Sequence, residues 1–164
     1  MFERTSRRAR SANERASVRH MRAWLLLVAA LAVHVVDEAL TDFLEFYNPL
    51  VLSIRSRLHW FPMPTFAFEV WIAGLILLVL VLALLAPAVR RGAVVTRLAS
   101  WVLSGIMFMN GLGHLAGSLY FDRWLPGATS APLLLAGSLL LARATWERQH
   151  PGRADLRLSN RDDG

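Results

Sequence analysis

Four runs of apolar residues, each about twenty positions long, alternate with short segments rich in Arg, Pro and Gly. A helix needs about 20 apolar residues to cross ~30 Å of hydrocarbon, and each run has that length. The pattern predicts spans over about Ala23–Phe43, Phe66–Ala88, Leu98–Phe121 and Leu125–Trp146. The second is the clearest, because Val70 to Ala86 carries no charge. In the first, only Trp24 to Val33 precede an ionisable residue, so three spans with a re-entrant first segment is the alternative. Between the first two, Asn48-Pro49 offers a helix N-cap followed by proline at the first helical position. A short interfacial helix follows, placing Trp60 and Phe61 at headgroup level, and Pro62 and Pro64 end it. Pro87 closes the second span near Arg90-Arg91-Gly92, and Pro126-Gly127 makes a tight turn between the third and fourth. The fold class expected is all-α, an integral membrane four-helix bundle with a short interfacial helix between spans 1 and 2.

The remaining segments divide the chain. Residues 1–22 carry seven Arg with Ser and Ala between them and no apolar period, which reads as a disordered or surface-lying tail. Residues 23–146 form the membrane domain, and 147–164 a second disordered tail. The Arg-rich lead-in is too long for a cleavable signal peptide, so the first run is read as an uncleaved span.

Charge adds orientation. With four spans, the N-tail, the 88–97 loop and the C-tail share one side and hold fifteen Arg, against Arg55, Arg57 and Arg123 opposite. The positive-inside rule then places both termini of this multi-pass chain in the cytoplasm. The net charge of +6 lies at span ends with no nucleic-acid motif, so the partner it implies is an anionic lipid surface, and nucleic acid is excluded. There is no cysteine, which removes disulfides, thiolate zinc sites, iron–sulfur clusters and cysteine nucleophiles.

Polarity inside the spans is the candidate chemistry. His34-Val35-Val36-Asp37-Glu38 puts three ionisable side chains inside the first run. At roughly 100° per residue, Asp37 and Glu38 fall about 60° and 40° either side of His34, so all three can face one object. Such groups cost at least ~2.5 kcal/mol each at membrane depth and are candidates for function. At ~1.5 Å per residue, His34 lies about 18 Å from Arg22, Asn110 about 20 Å and His114 about 25 Å from Arg97. Glu69, near the outer end of the second span, falls at a similar level. Three helices thus bring polar groups to one layer in the outer half. Gly113 and Gly117 sit beside His114 and would admit close helix approach. Alternatively the carboxylates mark a solvated helix end, and Asn110 and His114 are interhelical hydrogen-bonding groups. His59 is read as interfacial, and His20 and His150 are assigned to the tails.

The candidate catalytic residues are Glu38, Asp37, His34, His114 and Asn110, and the candidate metal ligands are His34, Asp37, Glu38, His114 and Glu69. Two imidazoles with carboxylates suit zinc, iron or manganese, and the same set without metal could move a proton. The spacing is not HExxH, and no P-loop, nucleophile elbow or dinucleotide fingerprint is present.

These residues carry a resemblance. His34-Val35-Val36-Asp37-Glu38, then Asn110-Gly-Leu-Gly-His114, then Pro126-Gly127, over roughly Ala30 to Leu141, resemble the HXXEE family of small bacterial membrane proteins. Asp37 stands where the family motif has its first Glu. The resemblance implies a motif-bearing membrane domain of unknown reaction. The function expected is an enzyme acting on a lipidic or amphiphilic molecule. The alternative is a non-catalytic metal- or proton-responsive membrane protein or transporter accessory subunit.

Overall fold

The computed structural model describes residues 2–60 and 62–150, and among these every regular element is helical. In chain order they are α1 (Phe2–Leu40), α2 (Phe43–Arg57), α3 (Phe68–Leu84), α4 (Ala86–Arg91), α5 (Val94–Tyr120) and α6 (Ala131–Gln149). Three stretches are long and apolar enough to cross a membrane: Ser11–Leu40, Phe68–Arg91 and Val94–Tyr120. The fourth expected span begins later than its apolar run, at Ala131 instead of Leu125, because residues 125–130 turn inward as a buried loop.

α1 is the central element. α3, α4 and α6 all pack against it, and α6 also packs along α5. Trp24, Leu27, Val28, Leu31 and Val35 of α1 form the middle of the core with Leu82, Ala86 and Val89, Met107, and Leu134 and Leu141. Two glycines let the backbones meet. A Cβ on Gly137 would lie 3.2 Å from Leu27 Cα, and one on Gly111 would lie 3.0 Å from the Ala131 carbonyl oxygen. The glycines expected in this role behave differently, since Gly113 faces open space and Gly117 meets the Leu125 side chain.

Local chemistry explains the breaks. Pro87 has no N–H to give the Ala83 carbonyl, and its ring crowds that carbonyl, so α3 ends at Leu84 and a new turn starts at Ala86. The Trp24 indole N–H donates to the neighbouring Leu82 carbonyl at 2.7 Å. The helix expected at the interface differs from its expected start. α2 begins at Phe43, after Asp42 in the left-handed region (φ 56°), and Pro49 lies inside it. Asn48 is not a cap. Its amide donates to the Phe66 carbonyl (2.9 Å) and accepts from the Phe66 N–H (3.1 Å), pinning α2 to the segment entering α3. Trp60 lies beyond the helix end and is exposed, and Phe61 falls outside the described residues.

The N-terminal segment is where sequence and structure part most. α1 runs without interruption from Phe2, so residues before Ala23 are helical, and Ala16 and His20 are buried. His20 Nε2 faces Ser100 Oγ (2.9 Å) and Thr145 Oγ1 (3.2 Å), while Arg148 Nη1 approaches Nδ1 at 3.0 Å. Both hydroxyls donate to carbonyls of their own helices, Thr96 and Leu141, so they accept from His20 Nε2–H and leave Nδ1 to accept from Arg148. Arg148 also donates to the Val89 and Arg90 carbonyls and to Ser17 Oγ. The lock joins α1, α4, α5 and α6 about 21 Å along α1 from His34. The C-terminal tail is helical through Gln149, and its remainder beyond His150 lies outside the described residues.

Candidate metal centre

About two turns of α1 beyond Leu27 comes His34, and Glu38 stands one turn after it on the face turned toward α5 and α6; both are buried. α5 brings Asn110 and His114 to the same level, again one turn apart. His114 Nε2 lies 3.1 Å and His34 Nε2 lies 3.4 Å from the same oxygen, Glu38 Oε1. The two rings meet edge to face, with centroids 4.7 Å apart and planes at 77°. One ligand atom each from His34, Glu38 and His114 lie within 4.8 Å of one another, the grouping among the described residues that could hold a metal ion.

The outer nitrogens show which way each ring presents its lone pair. His114 Nδ1 is 2.7 Å from the Pro126 carbonyl oxygen, which can only accept, so Nδ1 carries the hydrogen and Nε2 offers a lone pair to the centre. His34 Nδ1 is 2.8 Å from Ser130 Oγ. That hydroxyl has one proton and two oxygen acceptors, Asp37 Oδ2 at 2.7 Å and the Gly127 carbonyl at 3.2 Å. Donation to Asp37 leaves Ser130 Oγ to accept from His34 Nδ1–H, and His34 Nε2 also turns a lone pair inward. Two imidazole lone pairs therefore converge on one carboxylate oxygen. Such an arrangement could hold a cation or share a proton among its members.

The other expected residues divide. Asn110 Nδ2 approaches His34 Nε2 at 3.3 Å and belongs to the centre's wall. Asp37 is beside the centre but outside the three-residue cluster, and its Oδ2 accepts from both the N–H (2.9 Å) and the hydroxyl of Ser130. Glu69 does not join. It is exposed in the first turn of α3, where the helix enters the bundle edge and directs it outward. His59 is exposed and separate, and His20, assigned from sequence to a tail, is the buried centre of the α1–α6 lock.

Residues not named from sequence as catalytic or metal candidates complete the surroundings. The 126–130 loop supplies Pro126 O and Ser130 Oγ. Gly127, at φ 80°, lies so close beneath the rings that a Cβ there would come within 2.8 Å of His114 Cε1 and 2.9 Å of His34 Cε1. Phe43 of α2 covers the outer side, 5.8 Å by ring centroid from both His114 and Trp71. Tyr47 extends the aromatic cover and donates to the Pro64 carbonyl, and burial raises its phenol pKa above the usual value. Ser130-Ala131-Pro132 was readable as a helix start, but nothing in it indicated a partner on α1.

Fold and site together define an all-helical protein whose apolar helices suit a membrane and whose buried His–Glu cluster could hold a metal. The chain belongs to the HXXEE family, described as proteins of unknown function with an HXXEE motif, whose model matches residues 24–141. No curated protein and no solved structure matches it.

Proposed function

We propose that the chain is a four-crossing inner-membrane protein with both termini cytoplasmic. It binds one divalent transition metal near the outer leaflet through His34 Nε2, His114 Nε2 and Glu38, and uses it to act on an amphiphilic small molecule. The observation that carries this reading is the pair of imidazole lone pairs aimed at one carboxylate oxygen, at 3.1 and 3.4 Å. Ligands ~2.0–2.1 Å from a tetrahedral zinc stand about 3.4 Å apart, so these three need little movement to close on an ion. Iron and manganese accept the same donors, and metal supply and geometry choose among them.

Three protein ligands leave a coordination position open, the arrangement of catalytic rather than structural sites. Bound there, the metal would supply Lewis acidity and an activated water. Asn110, with Nδ2 at 3.3 Å from His34 Nε2, could hydrogen-bond a group held at the centre. The aromatic cover of Phe43 and Trp71 and the apolar faces of α3 and α5 favour an amphiphile with its polar end at the centre. Fifteen Arg against three support the orientation. The apolar run from Leu125 through α6 supports the fourth crossing.

The same short contacts favour a second reading, in which Glu38 and the two imidazoles share a proton and work as an acid–base group without metal, in catalysis or in a proton response. Elemental analysis of purified protein separates the two. The metal reading expects about one equivalent in the wild type, none in His34→Ala or His114→Ala, and weakened retention in Glu38→Gln. A wild-type protein that takes up no zinc, iron or manganese at micromolar supply ends the metal reading. In that case Glu38→Gln should fold normally and lose activity or the proton response.

A further inference from the structure

Ser130 occupies the N-cap of α6, where a serine hydroxyl ordinarily accepts from the helix's own N–H groups and contributes about 1 kcal/mol. Here it makes no such bond. The hydroxyl is turned away from its helix, between His34 Nδ1 (2.8 Å) and Asp37 Oδ2 (2.7 Å), and it is 4% exposed. Asp37 bonds Ser130 twice, since its Oδ2 also accepts the Ser130 backbone N–H at 2.9 Å. A free N–H at the start of α6 is thereby satisfied by a carboxylate from another helix. Four residues earlier in the same loop, the Pro126 carbonyl takes the His114 Nδ1 hydrogen, and Gly127 lies under both rings.

We infer that the 126–130 loop, with Asp37 behind it, is the device that orients both histidines, and that Ser130 and Asp37 are positioning residues, not ligands. The inference rests on the metal reading above and assigns the first acidic residue of the motif a role distinct from that of the second. Glu38 faces the ion, and Asp37 faces away and holds His34 through Ser130. The chain Asp37 carboxylate, Ser130 hydroxyl, His34 imidazole does through one extra hydroxyl what a carboxylate does directly to a metal-binding histidine: it fixes the tautomer and the ring plane, and raises ligand basicity. His114 is held by a carbonyl instead. The two rings are therefore oriented by a single short loop, and a disturbance of that loop reaches both.

The test uses the full chain in detergent, loaded with Co2+ as a spectroscopic probe, with affinity measured against a competing chelator. Ser130→Ala and Asp37→Asn should still bind one Co2+ at saturation, with affinity lower by about 10- to 100-fold and a shifted cobalt absorption spectrum. Asp37→Glu, which restores the family residue, should keep affinity within a few-fold of the wild type. His34→Ala should bind no stoichiometric Co2+. Because Asp37 also supports α6, thermal stability alone does not discriminate, and the spectrum and the Asp37→Glu rescue do. If Asp37→Asn loses all Co2+ while Ser130→Ala is unaffected, Asp37 is a ligand and the inference is wrong. Unchanged affinity and spectrum in both variants overturn it equally. A wild type that binds no Co2+ ends the metal reading, and 15N resonances of the His34 ring, assigned by their loss in His34→Ala, then decide the positioning role. Ser130→Ala should move His34 from the Nδ1–H tautomer toward a mixture, and an unmoved tautomer overturns the role.

Discussion

His34 and His114 differ in what holds them, and the difference makes the centre sensitive to single atoms. His114 leans on a backbone carbonyl that no side-chain substitution removes, whereas His34 depends on a hydroxyl and a carboxylate. Gly127 is the tightest position. Its φ of 80° alone makes alanine unfavourable by about 1–2 kcal/mol, and the new methyl would strike both rings. Gly127→Ala should therefore lower metal affinity by more than tenfold and reduce the melting temperature together, measured by chelator competition and by thermal unfolding in detergent. Retained affinity in a destabilised protein would show that the rings can reposition without the loop. At this scale the motif residues were readable from the i, i+4 spacing on α1 and α5, which is a property of helical geometry. Ser130 was not, because its partner is 96 positions away along the chain.

Each element has one task that its neighbours do not share. α2 closes the centre from outside, hinged at Asp42 and pinned by Asn48 to the Phe66 backbone. Replacing Phe43 by Ala removes the ring packed on His114 and Trp71 and opens a path to the ligands. Chelator-driven metal release should speed up several-fold in Phe43→Ala with equilibrium metal content unchanged, and an unaltered release rate would mean that exchange takes another route. At the other end, the His20 lock ties α1 to α4, α5 and α6 without touching the centre. His20→Leu leaves the Arg148 donor and the two hydroxyls short of a partner, with an expected loss of about 1–3 kcal/mol in thermal unfolding. Metal stoichiometry should stay at the wild-type value, because about 21 Å of α1 separates His20 from His34.

For the whole molecule, the proposed topology rests on the Arg distribution and is tested by where each loop lies. Reporter fusions at residues 10, 93 and 160 should report cytoplasm, and fusions at 55 and 123 the opposite side. An external signal at 93 would break the four-crossing reading. Cytoplasmic signals at 123 and at 160 together would leave α6 as a helix that packs without crossing. The architecture also explains why the polar layer tolerates burial. α1 and α5 present their polar groups toward α6 and its preceding loop, and each buried side-chain nitrogen or oxygen among the described residues has a partner.

Hydropathy and helical periodicity by themselves determined three membrane-length helices and the facing polar groups on α1 and α5, and the short motifs at His34–Glu38 and Asn110–His114 carried the family resemblance, because each is set by residues close together in sequence. They also pointed to Pro87 and Gly127 as breaks, since those constraints are local. Tertiary packing alone decided which polar residues share a centre. Asp37 and Glu38 are adjacent in sequence, and a difference of about 100° around the helix sends one to the metal-competent cluster and the other to Ser130. Glu69 matched the layer in depth but not in direction, because depth follows from counting residues while direction follows from how α3 is rotated against α1. His20 lay in an Arg-rich segment without apolar period, and only the long α1, with Ser100, Thr145 and Arg148 brought beside it, made that residue part of the interior.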